Sequence, residues 1–250
     1  MKIKSILVSQ PAPADLEKSP YTKLAEKYKL DVGYHKFIKI EGIPTKDFRQ
    51  SRINLLDYSA VIFTSRQAVD HYFRIAKDMR ADIPDDMKYF CISESTAFYL
   101  QKYIQFRKRK IFHGKLVFKD LMDIIKKHRD EKYLLPCSEI HKPDIPDTLT
   151  QNKINFDKAV IYRTLASDLS KVDIANYDML VFFSPSGVKS LFKNFNDYQQ
   201  GDTQIATFGA TTAKAAEDMG LKINVQAPTK KSPSMTMAIE EFVKAQKKKK

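Results

Sequence analysis

The chain holds 250 residues, with 43 Lys and Arg against 30 Asp and Glu, for a formal charge of +13. Apolar residues make up 43% and aromatics 11%, enough for one large core or two modest ones, which excludes a wholly disordered protein. Seven Gly and eleven Pro exclude collagen-like and linker-like chains, and two cysteines, Cys91 and Cys137, are too few for a disulfide framework or a thiolate metal site.

In chain order, short β-branched or aromatic runs alternate with stretches of helical spacing. A strand is predicted at Ile3–Val8, a helix at Asp15–Tyr28, an extended run at Tyr34–Ile40, a strand at Tyr58–Phe63 and a helix at Ala68–Lys77. Strands at Tyr89–Ile92 and Arg107–Phe112 precede a helix at Leu116–Arg129, where Val117, Leu121, Ile124 and Ile125 recur at three- and four-residue steps. Further strands follow at Tyr133–Leu135, Lys158–Ile161, Met179–Phe183, Gln204–Phe208 and Leu221–Val225, before a closing helix at Met235–Ala245. Strand alternating with helix implies parallel sheets covered on both faces. The opening MKIKSILVSQPAP lacks the long apolar region and cleavage site of a secretory signal, and no apolar run approaches the ~20 residues of a membrane helix. A soluble, cytoplasmic protein is expected.

The chain repeats itself. Val61–Phe73 lies over Leu180–Phe192 at an offset of 119 residues, with Phe63/Phe182, Ser65/Ser184, Val69/Val188 and Phe73/Phe192 identical. At nearly the same offset Ile92–Ala97 falls on Phe208–Ala213, and the helix of Val117, Leu121 and Ile125 falls on that of Met235, Ile239 and Val243. Three elements in one order suggest a duplicated α/β unit. The expected class is therefore α/β, with two similar three-layer (α/β/α) domains of parallel sheet. One is discontinuous, residues 1–36 plus 167–250; the other, 37–166, is inserted, and a cleft between two lobes is expected.

Ligands of parallel sheets gather at the carboxyl ends of strands, where the next helix presents unpaired N–H groups. Four such ends carry small hydroxyl residues: Thr64-Ser65, Ser93 with Ser95-Thr96, Ser184 with Ser186-Gly187, and Thr211-Thr212 after Gly209. Each suits a helix cap. Together they suit a ligand rich in carboxylates or phosphates. The sequence lacks Gly-x-Gly-x-x-Gly, a P-loop, His-Glu-x-x-His and Cys-x-x-Cys, and its five histidines, His71 among them, have no ligand spacing, so no metal site is expected. The positive surplus attracts any polyanion and identifies none, because the terminal run Lys247–Lys250 supplies part of it and charge runs usually face water. Tyr162 follows the strand Lys158–Ile161, where its phenol can pack against backbone or donate a proton to a leaving hydroxyl.

The segments Phe63-Thr-Ser with Ala68-Val69, Leu135-Pro-Cys-Ser138, Val160-Ile-Tyr-Arg-Thr164, Phe182-Phe-Ser-Pro-Ser-Gly-Val188, Gly209-Ala-Thr-Thr-Ala213 and Pro228-Thr with Ser234-Met resemble the uroporphyrinogen-III synthase family, in the family's order. That resemblance implies two α/β domains joined by a two-stranded linker. It implies an enzyme that closes hydroxymethylbilane, a linear tetrapyrrole polycarboxylate, to uroporphyrinogen III, inverting the last pyrrole and using no cofactor. Tyr162 would assist departure of the substrate's hydroxyl; Thr96, Ser184, Thr211 and Thr212 match further family positions, and Ser138 falls in a family segment. The family often has Ser-Pro-Arg where this chain has Ser65-Arg66-Gln67, which leaves the role of Arg66 as a basic contact open. A monomer with no nucleic-acid or membrane partner is expected. The competing expectation is a non-catalytic anion or nucleic-acid binder using Arg107–Lys110, although no aromatic platform or recognition-helix motif accompanies that run.

Overall fold

The computed structural model describes residues 3–115, 117–141 and 143–248. Leu116, expected to open a helix, and Lys249 and Lys250 of the terminal lysine run lie outside the described residues. The chain divides into two compact units, Met1–Lys39 with Leu165–Lys250, and Ile40–Thr164.

The discontinuous unit opens with β1 (Ser5–Val8), α1 (Pro20–Tyr28) and β2 (Asp31–Tyr34), and the chain leaves it along β3 (Ile38–Gly42). The inserted unit runs α2 (Thr45–Gln50), β4 (Ala60–Phe63), α3 (Arg66–Met79), β5 (Lys88–Cys91), α4 (Glu94–Tyr99), β6 (Ile111–His113), α5 (Phe118–Ile125), β7 (Tyr133–Ser138), α6 (Asp144–Gln151) and β8 (Phe156–Ala166). The discontinuous unit then resumes as β9 (Met179–Phe182), α7 (Pro185–Asn194), β10 (Gln204–Phe208), α8 (Ala210–Asp218), β11 (Ile223–Ala227) and α9 (Met235–Lys248).

One sheet has the order β11-β10-β9-β1-β2, with every pair parallel. The other has the order β3-β8-β7-β4-β5-β6, parallel from β8 to β6. Bonds from Ile43 N–H to Ile161 O and from Ser167 N–H to Phe37 O bracket an antiparallel β3–β8 pair, the two-stranded linker that the family resemblance implies. The succession β4-α3-β5-α4-β6-α5 recurs as β9-α7-β10-α8-β11-α9, in keeping with the 119-residue offset. The remaining pieces are permuted: β1-α1-β2 holds in one sheet the place that β7-α6-β8 holds in the other.

Burial explains why the strands read as unbroken apolar runs. In β4, Val61 and Phe63 pack with Val69, Tyr72 and Ile75 of α3, while Ala60 and Ile62 face Leu121, Met122 and Ile125 of α5 and Leu149 of α6. In the discontinuous unit, Val181 joins Leu24 of α1 and Ile239 of α9, while Leu180 and Phe182 join Val188 and Leu191 of α7. Each parallel sheet thus lies between two helical layers.

Several boundaries differ from expectation, each for a local reason. The first helix starts at Pro20 because Ser19 caps it and Pro20 pre-sets the first turn. The Arg107–Phe112 run shortens to Ile111–His113, since the basic residues before it form a turn closed by Lys110 N–H to Arg107 O. The last strand moves to Ile223–Ala227, and β8 extends to Ala166, so Tyr162 lies within a strand and not at its end.

One core position is suboptimal. Thr207 in β10 is fully buried and its Oγ1 has no hydrogen-bond partner among the described residues. Thr207→Val therefore raises unfolding free energy by about 1 kcal/mol, because it removes an unpaired buried hydroxyl at nearly constant shape. Urea unfolding measures the shift.

Candidate active site

Both sheets change strand order beside a central strand, the place where parallel sheets gather ligands. In the inserted unit that reversal lies between β4 and β7, and in the discontinuous unit between β9 and β1.

At the β4–β7 reversal, Ser65 follows β4 and caps α3, its Oγ accepting from Ala68 N–H at 3.1 Å. The same oxygen lies 3.5 Å from the Tyr162 hydroxyl. Tyr162 is in register with Ser138 at the end of β7, where the β7–β8 register shifts between Cys137 and Ser138, and its carbonyl accepts from Glu139 N–H at 2.9 Å. Bulges of this kind re-aim side chains. The Ser138 Oγ is buried beside this junction with no hydrogen-bond partner among the described residues. Burial raises the Tyr162 phenol above its ordinary pKa, against a lowering contribution from Ser65, so the group is protonated at neutral pH.

The neighbouring strand end is closed inward. Ser93 caps α4 and its Oγ lies 3.1 Å from both Ser95 Oγ and Thr96 Oγ1; Ser93 and Thr96 are buried, while Glu94 is exposed in the first turn. Arg66 is exposed, with its guanidinium 5.3 Å from the centre of the Tyr99 ring.

At the β9–β1 reversal, Ser184 caps α7 by accepting from Gly187 N–H at 3.1 Å, and Ser186 sits half-buried in the first turn. A Cβ on Gly187 would stand 3.4 Å from Ser184 Oγ and 3.7 Å from Ser9 Oγ, so these three residues converge. Ser9 escaped the sequence reading. It follows β1 as Ser138 ends β7, but the permutation places this pair outside any linear offset; strand order alone reveals it. After β10, Thr211 is exposed and Thr212 buried. Gly209 precedes α8 at φ +87° and ψ 146°, a conformation nearly confined to glycine. No atom lies within 4 Å of a Cβ built there, so Gly209→Ala costs about 1–3 kcal/mol through backbone strain alone, measurable by thermal unfolding.

Burial pushes the Cys91 thiol up to about 12 and the Cys137 thiol up to about 11, so neither is a thiolate nucleophile at neutral pH. Among the described residues no cluster of His, Cys, Asp or Glu could hold a metal ion, and no helix is long and apolar enough to cross a membrane.

Residues 21–237 match the family model described as "Uroporphyrinogen-III synthase HemD". The chain belongs to the uroporphyrinogen-III synthase family. A relative from Methanocaldococcus jannaschii is 28% identical over 199 residues, covering 74% of this chain and 79% of that protein. The "Uroporphyrinogen-III synthase" of Chlorobaculum parvum is 22% identical over 266 residues, covering 97% of this chain and all of that protein, 100%. In fold, the chain resembles the crystal structure of uroporphyrinogen-III synthetase from Helicobacter pylori, with a TM-score of 0.62 at 17% identity over 97% of this chain and 100% of that one. Membership in the uroporphyrinogen-III synthase family makes the chain a cyclising lyase of tetrapyrrole biosynthesis.

Proposed function

We propose that the chain converts hydroxymethylbilane to uroporphyrinogen III, with Tyr162 as proton donor and the strand-end groups of each unit binding substrate carboxylates. The observation that carries the proton-donor role is the Tyr162–Ser65 pair at the β4–β7 reversal. Ser65 Oγ already accepts the Ala68 N–H, so its own hydrogen is available to the Tyr162 oxygen. The phenol proton is then free for the hydroxyl that leaves the substrate. Protonation there releases water and gives an electrophilic azafulvene. Ser65 and the N-terminus of α3 stabilise the phenolate that forms briefly.

Closure at the substituted carbon of the last pyrrole gives a spiro intermediate, which fragments and recloses with that ring turned over. These are carbon–carbon bond shifts and proton transfers within the substrate, and they balance without an electron donor or acceptor. What the protein must supply is geometry that favours the inverted closure over the direct one. Ser65, Arg66 and Ser138 of the inserted unit, and Ser184, Ser186, Gly187 and Thr211 of the discontinuous unit, are the proposed carboxylate contacts. Ser93 and Thr96, whose buried hydroxyls are hydrogen-bonded to each other, and Thr212, 1% exposed, shape the turns that carry such contacts. The formal +13 charge suits a polycarboxylate.

The test is to mix the protein with freshly prepared hydroxymethylbilane and separate the product isomers. Uroporphyrinogen III should exceed the uninverted isomer in proportion to protein concentration. Only the uninverted ring at every protein concentration overturns the proposal.

A further inference from the structure

His71 of α3 lays its ring against that of Tyr162, with centroids 5.4 Å apart and planes 21° from parallel. The imidazole is itself held. Arg74, one turn further along α3, donates from Nε to His71 Nδ1 at 3.4 Å, and its Nη2 donates to the carbonyls of Ile43 at 2.8 Å and Ile161 at 3.4 Å. Ile161 immediately precedes Tyr162. A single guanidinium thus ties both the ring on which Tyr162 rests and the backbone that carries it, while Nη1 is anchored on Asp78 at 3.2 Å. Gly42 leaves room for this seat, since a Cβ there would stand 2.7 Å from Arg74 Nε and 2.8 Å from its Cζ and Nη2.

An arginine N–H only donates, so Nδ1 of His71 must carry the lone pair and the ring is neutral. Burial first, then the Arg74 charge, lower the imidazole pKa, against a raising contribution from Asp70, which agrees with that assignment.

We infer that His71 is a positioning residue for the Tyr162 phenol, with Arg74, seated against Gly42, holding the imidazole in place. The inference rests on the proposed part of Tyr162 in the reaction. A phenol that donates to a leaving hydroxyl must be held within about an ångström, because errors of that size cost up to ~100-fold in rate. Ser65 alone, at 3.5 Å, restrains the hydroxyl weakly, whereas a stacked ring removes lateral freedom.

The experiment compares steady-state kinetics of full-length His71→Ala, His71→Phe and Arg74→Met, each alone and in the Tyr162→Phe background, with the Tyr162 ring resonance followed in protein carrying 13C-labelled tyrosine. That resonance is assigned by its loss in Tyr162→Phe. His71→Ala is expected to lower kcat roughly tenfold with KM within twofold, and to shift the Tyr162 resonance. His71→Phe keeps a flat ring, recovers most of the loss, and covers the case in which His71→Ala fails to fold. Arg74→Met should lower kcat in the same way as His71→Ala. In the Tyr162→Phe background none of the three should lower kcat further, because residues that act through one group are not additive. An equal loss in that background, an unmoved Tyr162 resonance in His71→Ala, or no recovery in His71→Phe overturns the inference. If Tyr162→Phe alone keeps the parent kcat while His71→Ala still moves the resonance, the positioning contact is supported and the proton-donor role is what fails.

Discussion

Tyr162→Phe is expected to lower kcat about a hundredfold, the low end of general acid catalysis, while KM changes less than threefold. The substitution removes one oxygen and keeps the ring that packs on His71 and on the core of the inserted unit. Substrate carboxylates, gripped elsewhere, should be held as before. Stopped assays that separate product isomers give both parameters, and unchanged kinetics would remove the proton-donor role. The pH profile provides a second check. Since burial raises the phenol's pKa, its acid form persists through the neutral range and beyond the ordinary tyrosine value. Activity that depends on this proton should therefore hold as pH rises through neutrality and fall only on the alkaline side, with that limb absent in Tyr162→Phe. The sign for stability is the same. A phenol whose pKa is raised by folding contributes fully below its unfolded value near 10, and the contribution disappears as pH climbs through the folded value.

Phe63→Ala should have the largest effect on stability, about 3–5 kcal/mol. Phe63 ends β4, is fully buried, and meets Tyr72 edge-on at 5.4 Å and Tyr89 in a stack at 6.1 Å between centroids. Truncation leaves a cavity that two aromatic walls cannot close without leaving their rotamers. Because Phe63 is two residues before the α3 cap, the Ser65–Tyr162 pair should loosen as well. Guanidinium unfolding of the inserted unit, followed beside turnover, measures both; a loss under 1 kcal/mol would show that the site collapses freely.

Periodicity placed most strands within two residues, because a strand buried on both faces is an unbroken apolar run, as Met179–Phe182 illustrates. The repeat was legible for the same reason: Phe63 and Phe182, Val69 and Val188 occupy equivalent buried positions. The caps at Ser65, Ser93 and Ser184 were legible too, since a hydroxyl between a strand and a helix has one favoured use. What stayed hidden depends on non-local order. Tyr162 is aligned by a register shift against β7, Ser9 by a permuted strand, and His71 by a ring and a guanidinium brought together from separate elements. A histidine without ligand spacing gives no sign of such a partner.

The paired β3 and β8 strands also bear on cooperativity. Phe37 and Ser167 are hydrogen-bonded to each other, so for the discontinuous unit everything from 38 to 166 is a single loop whose ends are tied. When the insert is folded, the bond from Ile43 to Ile161 makes that excursion no longer than a hairpin; when it melts, the host must close a span of well over a hundred residues. Chain entropy then charges the host roughly 2 kcal/mol more for holding its two segments together. Injury to the insert is therefore transmitted to its host through the chain alone, and the molecule should melt nearer to one transition than two independent bodies would.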